Sequence, residues 1–232
     1  MIVWRTSDWS VETRITTPFK DTAKQETLFR RISWSPDGLS LAATNASKAG
    51  CHVAAILKRG TTSSSETGGK EADWLTEINL IGHSRPVTAS RFSPLVFQQK
   101  APLPPYALLA LGDDASGQFT LWSNAKPRPM LVLTEVFRGT TTDFSWSSDA
   151  RFLLASSLDG TVCLIAFTHH ELCRCSGGGS PMTAAEFGDF FRRTYGCQAG
   201  EALSRGKAGK LQEHVLGQTS HHHRPSLPSS PP

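Results

Sequence analysis

Four groups of residues have side chains and spacings that invite a chemical reading. His83 precedes the acidic pair Asp113-Asp114 by 30 and 31 positions, a combination that can form an acid-base couple if the fold brings the two together. Cys173-Arg174-Cys175 offers two thiols, and His221-His222-His223 offers three imidazoles. None completes a reactive set. The thiols stand one residue apart without the second C-x2-4-C pair that a zinc site uses, and no cysteine or carboxylate accompanies the histidine run. Nucleophile elbow, phosphate-binding loop and paired catalytic carboxylates are all missing from the sequence. No catalytic residue, metal site or cofactor is therefore assigned, and the chain is read as not an enzyme. His83 is expected to be a buried, hydrogen-bonded structural residue, partnered by Asp113 or Asp114, because burying either group alone would be costly.

The elements around these residues repeat. SWSPDG at 33–38, SRFSP at 90–94 and SWSSDA at 145–150 each end one apolar-alternating run and precede another, with Trp34, Phe92 and Trp146 separated by 58 and 54 positions. Such self-similarity signals a repeat architecture. Period-2 alternation marks strands at 29–38, 39–46, 51–59 and 74–83, then at 86–94, 106–114, 118–124 and 129–137, then at 141–150, 152–160 and 161–167. Residues 1–6 and 9–19 read as the last two strands of an earlier unit. The expected fold is all-β: a partial WD-repeat β-propeller of about three and a half four-stranded blades, followed by a short helix.

The recurring residue types follow from this plan. Pro36, Asp37 and Gly38 supply the fixed φ, the side-chain-to-backbone hydrogen bond and the positive-φ tolerance of a tight turn, and Asp159-Gly160 repeats the acid-glycine pair. The aromatic before each turn is expected on a face buried between neighbouring sheets. Trp4, Trp34, Asp37, Gly38, His83, Phe92, Asp114, Trp122, Trp146, Asp159 and Gly160 are accordingly read as structural blade residues. Residues 59–73 and 93–106, rich in Ser, Thr, Gly or Pro, are expected to project as loops.

Beyond residue 167 the alternation stops. The expected division is propeller blades over 1–172, a linker at 173–181, a helix at 182–196 packing on the propeller through Phe187, Phe190, Phe191 and Tyr195, and a disordered basic, Pro-rich tail at 197–232. In the helix, Ser180 is the expected cap and Pro181 the first-turn residue. Charge divides unevenly. Residues 1–191 hold 18 basic and 18 acidic side chains, and residues 192–232 hold 6 and 2. A neutral body is poor at gripping a phosphate backbone, so no direct nucleic-acid binding is expected. No apolar run approaches the ~20 residues that cross a bilayer, so no membrane span is expected either. Five cysteines without a framework spacing suit a reducing compartment.

The order of the motifs is also informative. VWRTSDWSVETRITTPF (3–19), RISWSPDG (31–38), LIGHSRPVTASRFSP (80–94) with a long insertion after it, SLDGTVCLIAF (157–167) and TYG (194–196) together resemble the second half of the N-terminal WD-repeat propeller of the HIRA/Hir histone-chaperone family. The resemblance implies a nuclear, non-enzymatic scaffold of a histone chaperone complex that deposits histones independently of replication and takes part in transcriptional repression. It implies protein partners: a ubinuclein-type subunit, other histone chaperones, and core histones through the complex. Which surface binds them is not legible in the sequence. A generic WD-repeat adaptor of another assembly and a non-functional truncated remnant are the alternatives. Three and a half blades leave sheet faces open, so the chain is expected to be a fragment or to pair with another chain.

Overall fold

A computed structural model describes residues 1–22, 27–59, 74–99, 103–168, 170–172 and 179–195. The expected tail (197–232), most of the linker and most of the first insertion lie outside the described residues. Fourteen strands are described: β1 (Ile2–Trp4), β2 (Val11–Arg14), β3 (Ser33–Trp34), β4 (Ser40–Lys48), β5 (Cys51–Arg59), β6 (Trp74–Ile81), β7 (Val87–Gln98), β8 (Tyr106–Asp113), β9 (Phe119–Ser123), β10 (Lys126–Leu133), β11 (Thr141–Trp146), β12 (Phe152–Ser157), β13 (Val162–Ala166) and β14 (Ser180–Pro181). They form antiparallel sheets in the orders β1-β2, β3-β4-β5-β6, β10-β9-β8-β7-β14 and β11-β12-β13. The fold is a partial WD-repeat β-propeller: a two-stranded half-blade, two full blades and a three-stranded blade.

Blades stack face on face. Val3 and Ile15 of the half-blade pack on Leu41, Ala43, Val53, Ala55 and Leu57 of blade one. The opposite face of that sheet (Ala42, Ala54, Ile56) meets Leu109, Leu111 and Trp122 of blade two. Leu108, Ala110, Phe119 and Leu121, on blade two's far face, meet Phe144, Leu153 and Ala155 of blade three. Sheets covered on both sides read as nearly continuous apolar runs, and β8 is accordingly buried along its whole length.

The repeated aromatic points toward the preceding sheet in each blade: Trp34 pairs with Leu41, Phe92 with Leu109 and Trp146 with Leu153. Their burial is unequal, contrary to the expectation. Phe92 is 5% exposed, Trp146 is half-buried, and Trp34 is 44% exposed. The reason is the sheet in front. Phe92 faces a complete blade, whereas Trp34 lies on the innermost strand and faces a sheet of only two strands. Trp4, 52% exposed, lies on the half-blade's outward face, which no described sheet covers.

Two further expectations change. The strand before the Pro-rich insertion does not stop at residue 94: β7 runs to Gln98, absorbing Ser93-Pro94-Leu95 as a bulge between the pairs Phe92↔Leu109 and Val96↔Ala107. Ser180 and Pro181 neither cap nor start the helix, because they pair with β7 as β14. The helix α1 spans Ala184–Tyr195 and is opened by Thr183 and Glu186. Glu186 Oε2 accepts from Thr183 N (2.7 Å), and Thr183 Oγ1 accepts from Glu186 N (3.3 Å). That reciprocal pair satisfies two helix-end donors, and the Thr183 backbone bond holds the Glu186 carboxyl below its ordinary pKa. Phe187 and Phe190 of the helix are half-buried, and the side chains of Phe191 and Tyr195, the other two expected to pack on the propeller, lie outside the described residues.

Candidate functional site

The chemistry-capable residues of blade two do come together. His83 Nδ1 lies 2.9 Å from Asp113 Oδ2, and His83 Nε2 lies 2.8 Å from Thr120 Oγ1. Trp122 Nε1 donates to Thr120 Oγ1 at 2.7 Å. An indole N–H can only donate and a carboxylate can only accept, so the line runs from Trp122 to Asp113. Ser116 Oγ also donates to Asp113 Oδ1. The order acid, imidazole, hydroxyl is that of an acyl-transfer relay, but the His83 and Asp113 side chains are completely buried, and no substrate reaches the hydroxyl. The line satisfies buried polar groups instead.

Of the two acids open as partners of His83, Asp113 takes the role. Asp114 turns the other way and accepts from Thr140 Oγ1, at the start of blade three, so its place is in the blade junction. Thr120 escaped the sequence reading. Its signal was its position two residues before Trp122, since alternate residues of a strand share a face. Gly112 is a close-approach position: a Cβ there would stand 2.4 Å from Thr141 Cγ2.

The turn residues cluster at strand ends. Asp37 is buried, with Oδ1 bonded to Ser35 Oγ and to Leu39 N (3.1 Å), and Gly38 has φ +70°. Blade three repeats this turn with Ser147, Asp149 and Ala150: Asp149 Oδ1 accepts from Ser147 Oγ (2.6 Å) and Arg151 N (3.1 Å), bonds that lower its pKa. Asp159 is more strongly held. Its Oδ1 accepts from Thr161 Oγ1 (2.6 Å) and N (2.9 Å), and its Oδ2 accepts from Arg138 N (2.7 Å). These bonds, the Thr161 hydroxyl foremost, bring its pKa down to about 2. Gly160 follows at φ +85°.

Side chains from all three repeats line one groove of about 590 Å³, including Ile32, Trp34 and Pro36 from the first, Arg91 and Pro94 from the second, and Trp146 from the third. Hydrogen bonds between innermost strands hold its floor. Phe92 N donates to Ser33 Oγ (2.9 Å), Arg91 Nε to Phe144 O (3.0 Å), and Trp146 Nε1 to Arg91 O (3.1 Å). Arg91 also pairs with Asp143 at 2.9 Å. The groove is open, and its lining mixes aromatic, aliphatic and proline surface with the polar Ser33, Ser93, Ser145, Ser148 and Arg91. Its surface is made of rings, prolines, hydroxyls and one guanidinium.

Comparison with known proteins places this architecture. Protein hir1 of Schizosaccharomyces pombe is 40% identical over 169 residues, covering 73% of this chain and 16% of that protein. The chain belongs to the HIRA/Hir family. Protein HIRA of Dictyostelium discoideum is 34% identical over 206 residues (88% of this chain, 16% of that protein), and human Protein HIRA is 32% identical over 199 (83% and 18%). This HIRA/Hir chain thus spans less than a fifth of the length of these relatives. No protein-family model matches it. Among solved structures, one chain of an active polycomb repressive complex 2 in the basal state aligns with 62% of it at TM-score 0.44 and 15% identity, too weak a likeness to bear on function.

Proposed function

We propose that this HIRA/Hir chain is a non-enzymatic WD-repeat scaffold of a nuclear histone chaperone complex, acting in replication-independent chromatin assembly and transcriptional repression. The observation that carries the reading is the 32–40% identity to Hir1 and HIRA proteins across the residues that build the blades. The geometry is in keeping with the non-enzymatic part: the one acid-imidazole-hydroxyl line among the described residues is completely buried. Its partners are proteins: a ubinuclein-type subunit, other histone chaperones, and core histones through the complex. Direct nucleic-acid binding is not part of the proposal, because residues 1–191 carry no net charge.

The test is capture of a purified ubinuclein-type subunit by the immobilised chain, with nuclear extract run in parallel and bound proteins identified by mass spectrometry. Saturable binding of that subunit, with histone chaperones recovered from the extract, is expected. Failure to bind it, with recovery of ubiquitin-ligase or RNA-processing subunits instead, would replace this reading with that of an adaptor in another assembly.

A further inference from the structure

Blade two carries a fifth strand that the four-stranded repeat does not call for. Past Pro94, β7 continues through Val96, Phe97 and Gln98, and with the start of β8 it makes a ribbon on which the buried rings of Phe97 and Tyr106 stack at 5.5 Å. On one side this stretch of β7 pairs with β8. Its other side is an edge, and a strand edge is a template for any extended chain that fits it. A segment from beyond blade three fills that edge: Ser180 pairs with Gln98, Pro181 pairs with Phe97, and Met182 N donates to Val96 O at 2.8 Å. The site belongs to blade two, which has a sheet on either side.

The edge is selective. Gly179 is buried there, and a Cβ on it would stand 2.7 Å from the Tyr106 hydroxyl oxygen and 2.9 Å from the Gln98 carbonyl oxygen, so the seat accepts glycine alone. Ser180 faces solvent and carries no requirement. Because Met182 bonds to Val96, the alternate pair Pro181 and Phe97 needs no N–H from residue 181, and proline fits without loss. Met182 is half-buried beside a cavity of about 480 Å³ that it shares with Gln98, Pro105 and Phe190. The hold is light: β14 is two residues long, and α1 behind it is separated from the ribbon by that cavity and capped by its own Thr183 and Glu186. Units with so few buried contacts open well before the whole domain does. We infer that the edge of β7 at Val96–Gln98 is a strand-addition site for an extended segment of the pattern glycine, any residue, proline, apolar residue, that residues 179–182 occupy it in cis, and that another protein carrying this pattern displaces them. The inference is independent of the chromatin reading.

A fluorescent peptide with the sequence of residues 177–187, GGGSPMTAAEF, tests it by polarisation against the whole chain and two variants. Gly179→Val gives the strap a side chain that its seat cannot hold, and Met182→Pro removes the N–H that reaches Val96; each vacates the edge by a different route. Both variants should bind the peptide saturably. The unmodified chain should bind it roughly tenfold more weakly or worse, because its own strap competes at a millimolar effective concentration. A peptide with valine at the place of Gly179 should bind to none of them. Failure of the glycine peptide to bind either variant overturns the inference. Equal binding to the variants and the unmodified chain overturns it too, since the contact then lies elsewhere, and so does equal binding of the valine peptide, which abolishes the glycine seat. Circular dichroism and thermal unfolding identify which variants keep their blades folded, and either one that does is sufficient for the comparison.

Discussion

Blades two and three share a strand plan, a turn pattern and a hydrogen-bond register, yet they fill the same interior positions with different chemistry. Blade two has His83, Asp113, Thr120 and Trp122. Counting through the repeat and the register, blade three has Phe137, Ser157, Cys163 and Ile165 there. One blade closes around a hydrogen-bonded polar line and the other around mostly apolar side chains. Blade one resembles the latter, and Thr44 Oγ1 and Asn45 Oδ1 there, with Thr141 Oγ1 in blade three, are buried without a hydrogen-bond partner. The difference teaches that the repeat prescribes a wedge of fixed geometry rather than a fixed set of side chains. A polar line also raises the stakes, because it is favourable complete and costly when one member is removed. Blade two, like blade one, is packed on both faces, and the His83 and Asp113 side chains are completely buried, so solvent cannot soften such a loss.

The largest expected effect breaks the polar blade. His83→Ala takes one partner each from the Asp113 carboxyl and the Thr120 hydroxyl in a site closed to solvent, leaving them only Ser116 and Trp122, at a cost of about 3–5 kcal/mol. That is a large share of a typical domain's stability, so chemical denaturation should show a sharply lowered midpoint or an unfolded chain. A His83→Ala protein within about 1 kcal/mol of the original would mean that the line contributes no more than an ordinary surface contact. Trp122→Phe keeps the ring and removes the indole donor, leaving Thr120 one bond short. It should cost about 1–2 kcal/mol in the same measurement, placing the chain between the two blade types.

A pH experiment sharpens the comparison from the blade-three side. Asp159 has a folded pKa of about 2 against an ordinary 3.8, so its stabilising contribution is complete above the ordinary value and is lost as pH falls through about 2. In Asp159→Asn that part of the pH dependence disappears, and the difference in stability between the two proteins should shrink as pH drops from 5 toward 2. A difference that stays constant over that range would show that the Thr161 and Arg138 bonds do not favour the ionised form.

The smallest effect compares the two related turns. Gly38 and Ala150 occupy equivalent places at φ +70° and +57°, a region in which only glycine rests without strain. Ala150→Gly should raise stability by about 0.5 kcal/mol, after the greater freedom of an unfolded glycine offsets part of the relief. Gly38→Ala should lower it by about 1 kcal/mol. Thermal midpoints moving in opposite directions would establish that one turn is relaxed and the other strained within the same repeat.

Much of the architecture was legible because it rests on local rules. Period-2 alternation located the strands, with bounds shifting by a few residues, and turn chemistry located the reversals. The failures share a cause. The Pro-rich segment after Phe92 reads as a loop, but the neighbouring β8 offers pairing partners that extend β7 past Pro94. Ser180-Pro181 reads as a helix start, but β7 has an edge to which it binds. Partners distant in the chain overrode local preference in both cases.

The sequence by itself determined the repeat, the family, and the side chains able to form a polar line, since each depends on residue identity and order. Tertiary structure decided that Asp113 rather than Asp114 meets His83, that Trp34 and Trp4 stand exposed while Phe92 is buried, and that three repeats share one groove. Those outcomes depend on which sheet lies against which, and burial is a property of the neighbour as much as of the residue.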